Sequence, residues 1–125
     1  MANDFEATYA ALRAVFQPLE AKLHVLKESG IGCEFETLVA SPFPQHKGKN
    51  MWFGAVKIGK AYVSFHLLPL YMNEKLSATV SPELSKRKQG KACFNFKSVP
   101  EPALMKELQA LAKAGLKDFE AKKWA

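Results

Sequence analysis

The residues with the richest side-chain chemistry in this 125-residue chain lie in two runs that alternate apolar and polar residues, AYVSFHLL and ACFNFKS. Successive side chains of an extended strand point to opposite faces, so the polar members of each run share one face. That face collects a phenol, a hydroxyl, an imidazole, a thiol, an amide and an ammonium group. The candidate ligand-binding residues are Tyr62, Ser64, His66, Cys93, Asn95 and Lys97.

A pocket for a small anionic or aromatic ligand is the functional interpretation of this polar face, with His66 as the group that titrates nearest neutral pH. Alternation along the preceding predicted strand places Phe53 on the same face. Apolar side chains mixed with convergent polar ones are typical of ligand pockets and of subunit interfaces, so self-association through the face is a second interpretation. The structural alternative is the solvent-facing side of an antiparallel sheet, which is polar without any function.

Cys93 and His66 also have the residue types of a catalytic nucleophile and its base. Such catalysis needs the two groups within hydrogen-bond distance, together with an orienting group and an oxyanion site. Strand alternation permits only the first condition, and the sequence has no pattern for the others. We therefore expect a binding module, with a hydrolase or redox enzyme that uses Cys93 and His66 as the less favoured alternative.

A metal site is the alternative function. Glu34 and Glu36 are two positions apart on a predicted strand, so they share a face and could bind a hard or borderline cation together with His66. Glutamates on a strand are more often simply solvated. The two cysteines, Cys33 and Cys93, have neither zinc-site spacing nor a disulfide framework, and no cofactor is expected.

The strands that position these residues belong to a predicted α+β fold. Alternating residues predict strands over 31–40, 51–58, 61–68 and 92–98. Gly59-Lys60 is expected to be a two-residue turn, whereas Ser41–Asn50 is a long connection without a recognisable motif. We expect an antiparallel or mixed sheet of about four to five strands, with helices packed on it, in a single domain over 1–125.

Helices are predicted at both ends of the chain. Apolar residues spaced by three and four predict a helix over 3–29, kinked or split at Pro18 because proline removes a backbone hydrogen bond. The same spacing predicts a helix over 102–114 that ends at Gly115, and a further short helix over 116–124.

A basic run, SKRKQGK over 85–91, is the densest charge feature of the chain. It follows Ser81-Pro82-Glu83, which is typical of a helix start, and it contains Gly90, a typical helix stop. Cations in the last turn of a helix are favoured by the helix dipole. This run is therefore interpreted as a helix terminus, with phosphate binding as the less favoured alternative.

Net charge and apolar content limit the classes of partner. A formal charge of +6 favours anionic partners. Only Arg13 and Arg87 are arginines, and base recognition relies on arginine, so specific nucleic-acid binding is not expected. The chain has no apolar run of about 18 residues and begins without a signal-peptide pattern, which predicts a cytoplasmic protein without a membrane span.

Two segments resemble a known family. SFHLLPLY at Ser64–Tyr71 and SPELSKRKQGKACFNF at Ser81–Phe96, followed by the helical segment Pro102–Phe119, are similar to the YdhG-like bacterial domains of unknown function. The resemblance implies an α+β fold with helices packed on a sheet and no established enzyme activity. Some proteins of the broader group have been likened to frataxin-like iron chaperones, so the resemblance implies iron delivery as the alternative function.

Overall fold

The fold is α+β, a five-stranded antiparallel sheet with helices packed on it, as the sequence predicts. The computed structural model describes residues 5–26, 28, 32–88, 90 and 92–125. Within them the elements are α1 (Phe5–Ala14), β1 (Leu23–Val25), β2 (Gly32–Ala40), β3 (Asn50–Ile58), β4 (Val63–Leu67), α2 (Pro69–Met72), α3 (Glu74–Ser77), α4 (Pro82–Ser85), β5 (Cys93–Phe96) and α5 (Pro102–Ala121). None of the described helices is long and apolar enough to cross a bilayer.

The sheet is a meander in which each strand pairs with the next one along the chain. All four pairings are antiparallel. The central rows of the core run across neighbouring strands, with Val56 opposite Phe65 and Phe65 opposite Phe94. Consecutive strands are usually neighbours in a sheet, and here this holds even for β4 and β5, although α2, α3 and α4 lie between them in the chain.

Phe16 sits at the centre of the helix-covered side of the sheet. Its ring stacks on Phe35 at 4.3 Å and on Phe65 at 5.2 Å between centroids, and it meets Phe53 edge-on at 6.0 Å. All four side chains are fully buried. One aromatic ring from the N-terminal segment therefore contacts three successive strands, and this fixes which face of the sheet is the core.

The N-terminal helix is split before Pro18, but the predicted continuation to residue 29 is wrong. A 3-10 helix over Gln17–Lys22 follows α1, with Pro18 in its first turn, where its missing N–H costs nothing. The chain then enters the sheet as β1, with Leu23 opposite Thr37. Strand pairing thus overrides the helical periodicity, and the predicted bounds at 3 and 29 lie outside the described residues.

The C-terminal segment forms one continuous helix, so the predicted break at Gly115 is wrong. Gly115 lies within α5 and is buried against the ring of Pro69. A Cβ atom at this position would lie 2.6 Å from the Pro69 Cβ. The glycine therefore allows close packing between helices, and Phe119 from the following turn reaches Phe53 at 5.9 Å.

The segment between β4 and β5 contains three short helices. Ser81 caps α4 as predicted, because its Oγ accepts a bond from the Leu84 N–H at 3.1 Å. The predicted role of the basic run is wrong, since α4 ends at Ser85 and Lys88 instead forms an isolated bridge with Phe94. Positions 89 and 91 of that run lie outside the described residues.

A β-bulge in β3 decides which of its side chains face the core. Phe35 pairs with Gly54 and Glu36 pairs with Trp52, which leaves Phe53 as an extra residue on β3. Phe53 therefore has no partner of its own on β2. Because of this extra residue, the side chains of β3 no longer alternate strictly between the two faces of the sheet.

The expectation that Phe53 lies on the polar face is wrong because of this bulge. Its ring is fully buried and contacts both Phe16 and Phe119 on the helix side of the sheet. Gly54 faces the same side, and a Cβ there would lie 2.9 Å from the Phe16 ring. The position needs glycine so that the Phe16 ring can approach the strand.

Candidate ligand site on the open face

The face of the sheet opposite Phe16, termed the open face, carries the polar residues of the strands. One row of Cα partners crosses four strands from Glu34 through Ala55 and His66 to Cys93. Asn95 lies opposite Ser64 in the next row of the same face. The structure thus brings together four of the predicted ligand-binding residues, namely Ser64, His66, Cys93 and Asn95.

The other three predicted residues do not join this group. Tyr62 precedes β4 and lies in a turn, where its carbonyl accepts the Gly59 N–H at 2.8 Å, so the predicted turn of two residues is wrong. Lys97 follows the end of β5 and is exposed. Phe53 lies in the core, as described above.

His66 forms a hydrogen-bonded chain with Cys93 and Ser64. Its Nδ1 lies 2.9 Å from the Cys93 Sγ and its Nε2 lies 3.0 Å from the Ser64 Oγ. The Ser64 hydroxyl donates to the carbonyl of Lys57 at 3.4 Å, so it accepts from Nε2–H. His66 Nδ1 then accepts from the Cys93 thiol, so the side chains of Cys93, His66 and Ser64 all have hydrogen-bond partners.

Burial holds both members of the Cys93–His66 pair in their neutral forms. It lowers the pKa of His66 below its ordinary value, and the charge of Lys57 lowers it further. It also raises the pKa of the Cys93 thiol above its ordinary value. The thiolate is the nucleophilic form of cysteine, and both shifts favour the neutral thiol–imidazole hydrogen bond over the thiolate–imidazolium form.

The residues of the predicted metal site do not converge on one point. His66 forms its side-chain hydrogen bonds with Cys93 and Ser64. Glu34 and Glu36 instead form hydrogen bonds with side chains of β3. Within the part of the chain that the structure describes, no three His, Cys, Asp or Glu side chains form a group that could hold a metal ion.

A cleft of about 510 Å³ lies on the open face where β2 and β3 meet the Ser41–Lys49 loop. This open-face cleft is lined by Leu26, Glu34, Glu36, Gln45, Lys47, Lys49, Asn50 and Trp52. Its volume is within the range of about 300–1,000 Å³ that is usual for small-molecule sites. The open face therefore contains a concave site, at one side of the row that the sequence predicts.

Two half-buried carboxylates on β2 line the cleft, and each is held in place by a neighbour. The Trp52 indole N–H donates to Glu34 Oε1 at 3.0 Å, and Asn50 Nδ2 donates to Glu36 Oε2 at 3.3 Å. His24 Nδ1 lies 2.9 Å from the same oxygen of Glu36. The side chains of Glu34 and Glu36 are 20% and 15% exposed, so the cleft holds acceptors that are oriented before any ligand arrives.

The loop above these carboxylates carries two exposed lysines, Lys47 and Lys49. The two ends of the loop are joined by a hydrogen bond from the Ser41 N–H to the Lys49 carbonyl at 2.9 Å. Phe43 packs edge-on against Trp124 at 5.4 Å, which ties the loop to the body of the protein. Among the described residues, no carboxylate lies within ion-pair distance of either lysine. The cleft therefore has acidic groups on the sheet and, on the loop, cations that have no ion-pair partner within the described part of the chain.

Sequence reasoning missed most of the residues that line this cleft. Strict alternation along β3 places Trp52 with Val56 on the core face, whereas the bulge puts them on opposite faces. The available signal was Gly54, since a glycine within a strand pattern often marks a bulge. The loop lysines had no local signal, because their position depends on how the loop folds back over the sheet.

Comparison with protein-family models, with curated proteins and with solved structures found no match to this chain. The resemblance to YdhG-like domains thus stays a prediction from the two quoted segments.

Proposed function

We propose that this protein is a non-enzymatic binding module that holds a small anionic or aromatic ligand in the open-face cleft. The observation that carries the proposal is the Trp52 indole, fixed by Glu34 beside two lysines without partners among the described residues. An apolar surface with a few convergent polar groups is the usual composition of a small-molecule site. Groups fixed before binding lose little conformational entropy when the ligand arrives.

The state of the Cys93–His66 pair supports binding over catalysis. A Cys–His enzyme requires a thiolate at neutral pH, and here burial raises the pKa of the thiol and lowers the pKa of the imidazole. Neither residue lines the cleft. Ser64, His66 and Cys93 accordingly stabilise the sheet beside the site.

Nuclear magnetic resonance of the two tryptophan indole N–H groups tests the proposal. The ¹⁵N-labelled protein is titrated with a panel of aromatic carboxylates, aryl phosphates and their neutral parent compounds. We expect the Trp52 indole signal and the backbone amides of β2 and β3 around the cleft to shift. Trp124 packs against Phe43 and Phe119 and is the internal control that should stay unchanged.

Trp52→Leu should abolish the shifts of the cleft amides, whereas Tyr71→Leu, which removes an exposed aromatic on α2, should leave them unchanged. The proposal fails if no compound of the panel shifts cleft signals. It also fails if the shifts cluster around another part of the protein.

A further inference from the structure

We infer that the open-face cleft selects a small aromatic zwitterion, a molecule that carries an ammonium group, a carboxylate and an aromatic ring. The ammonium group would bind to Glu36 on the sheet, and the carboxylate would bind to Lys47 and Lys49 on the loop. This inference deepens the proposed function and rests on it. It follows from the way in which the cleft keeps its acidic and basic groups apart.

The charged groups of the cleft are separated by sign, with the acids on β2 and the cations on the loop. Glu34 pairs with Lys57 at 3.8 Å, and Glu36 lies 2.9 Å from His24 Nδ1. Neither Lys57 nor His24 lines the cleft. A simple anion would be attracted by the loop and repelled by the acids, and a simple cation would meet the reverse. A ligand with both charges gains at both places.

Glu36 is the group that would hold the ammonium. Both of its side-chain hydrogen bonds, with Asn50 and His24, fall on Oε2, which leaves Oε1 for a ligand. One oxygen is enough, because an ammonium group is a compact charge with three donors. A charge-assisted hydrogen bond is roughly twice as strong as a neutral one. The half-buried carboxylate therefore favours an ammonium over a neutral N–H group.

Trp52 supplies the surface on which the ring of the ligand would pack. Its indole N–H, the only donor of the side chain, is already bonded to Glu34 at 3.0 Å. The residue is half-buried and lines the cleft, so the face of the indole is what it can offer a ligand. Aromatic rings that stack on each other gain free energy beyond the apolar area that they bury.

Lys47 and Lys49 would bind the carboxylate. The Lys47 N–H donates to the Pro44 carbonyl at 3.0 Å, and the Lys49 carbonyl accepts from the Ser41 N–H at 2.9 Å. The backbone of both lysines is therefore held within the loop, while their side chains are exposed. Two cations on a fixed backbone attract an anionic group to one end of the cleft.

The test titrates the full chain and follows the Trp52 indole signal. Phenylalanine and phenylalanyl-glycine carry both charges, at a shorter and a longer separation, and both are aromatic carboxylates of the class that the proposed function names. Phenethylamine and phenylalaninamide carry only the cation. Hydrocinnamate and N-acetylphenylalanine carry only the anion, and the second keeps a neutral N–H group. Alanine carries both charges without a ring.

We expect the better of the two aromatic zwitterions to bind at least about tenfold more tightly than each singly charged analogue, since a hydrogen bond to a charged group contributes by that order. Alanine should also bind more weakly, because it has no ring to pack on Trp52.

A matched pair of variants tests the ammonium end. Glu36→Gln keeps an acceptor for Asn50 and removes the charge, so it should abolish the advantage of the zwitterion over hydrocinnamate and N-acetylphenylalanine. Glu83→Gln neutralises an exposed glutamate of α4 and should preserve that advantage. A dispersed amide spectrum confirms that each variant is folded.

A second pair tests the carboxylate end. The Lys47→Ala/Lys49→Ala double variant should abolish the advantage of the zwitterion over phenethylamine and phenylalaninamide. The Lys60→Ala/Lys97→Ala double variant removes the same charge from exposed positions outside the cleft and should leave the advantage intact.

The outcomes separate this inference from the proposed function. If aromatic anions shift the cleft signals and neither aromatic zwitterion binds more tightly than they do, the inference is overturned and the binding module stands. The same holds if the cations, N-acetylphenylalanine or alanine bind as tightly as the aromatic zwitterions. If no compound shifts the cleft signals, the inference and the proposed function are both overturned.

Discussion

Burial decides the behaviour of the most reactive residue types in this chain. His66 and Cys93 are directly opposite each other on β4 and β5, and their side chains meet at 2.9 Å. A pair in water would titrate at its ordinary pKa values, but desolvation disfavours the charged form of each group. The same two residues that suggest catalysis in the sequence are thereby held as a neutral thiol and a neutral imidazole.

Cys93 should react slowly with thiol reagents at neutral pH. Because burial raises its pKa, the thiolate fraction becomes substantial only at a pH above the ordinary range for cysteine, so the rate should be lower than that of the unfolded chain at pH 7–8 and should rise at alkaline pH. The rate of modification by a chromogenic disulfide, measured from pH 6 to 10, checks this. Cys93→Ser is the control that identifies the signal of Cys33, which is almost fully buried. Rapid modification of Cys93 at pH 6 would contradict the prediction and would restore the Cys–His enzyme as a hypothesis.

At the scale of elements, glycines set the contacts that position the site. Gly54 gives the Phe16 ring room beside the bulge in β3, and this bulge turns Trp52 to the open face while Phe53 stays in the core. Gly115 allows α5 to lie directly against Pro69. In both places a small residue within a regular element marks a close approach and not an interruption.

Gly115→Ala should destabilise the protein although alanine favours helices. The propensity gain of about 1 kcal/mol is opposed by overpacking against a rigid proline ring, which typically costs about 1–3 kcal/mol and here falls at the upper end, because the new Cβ would lie 2.6 Å from Pro69. We expect a net loss of about 1–2 kcal/mol in the free energy of unfolding in urea. Ala114→Gly, at an exposed neighbouring position, reports the propensity effect alone and should cost about 1 kcal/mol. A Gly115→Ala variant that is more stable than the parent would show that α5 does not pack on Pro69 in this way.

At the scale of the whole molecule, one aromatic cluster joins the N-terminal segment, the sheet and α5. Phe16 contacts aromatic rings on β2, β3 and β4. One of these rings, Phe53, also contacts Phe119 on α5. The helices and the sheet therefore form a single packed core. The open-face cleft lies on the other side of the same strands, so its geometry depends on that core.

Phe16→Ala should be among the most damaging single substitutions in the chain. Removal of a fully buried phenylalanine typically costs about 3–5 kcal/mol, a large part of the roughly 5–15 kcal/mol by which domains are stable. Phe16→Leu retains an apolar side chain and should lose less, so it remains measurable by urea denaturation if the alanine variant does not fold. Phe43→Ala, at a half-buried ring of the loop, is the control and should cost less than Phe16→Ala. Equal losses for Phe16→Ala and Phe43→Ala would contradict the central place of Phe16.

The sequence by itself determined the α+β class, four of the five strands of the described sheet, the split of the first helix before Pro18 and the cap at Ser81. These are local features, because alternation, proline and capping residues act over a few positions. It also determined that Ser64, His66, Cys93 and Asn95 share a face, since alternation holds along the short strands β4 and β5.

Only the tertiary structure decided where the concave site lies. Three features depend on contacts between residues that are distant in the chain. They are the entry of Leu23 into the sheet, the bulge at Phe53 and the uninterrupted α5. The Ser41–Lys49 loop has no motif, yet its fold places Lys47 and Lys49 in the cleft that the carboxylates of β2 also line. Strand alternation indicates a face, and the packing of rings and loops against that face decides which part of it can hold a ligand.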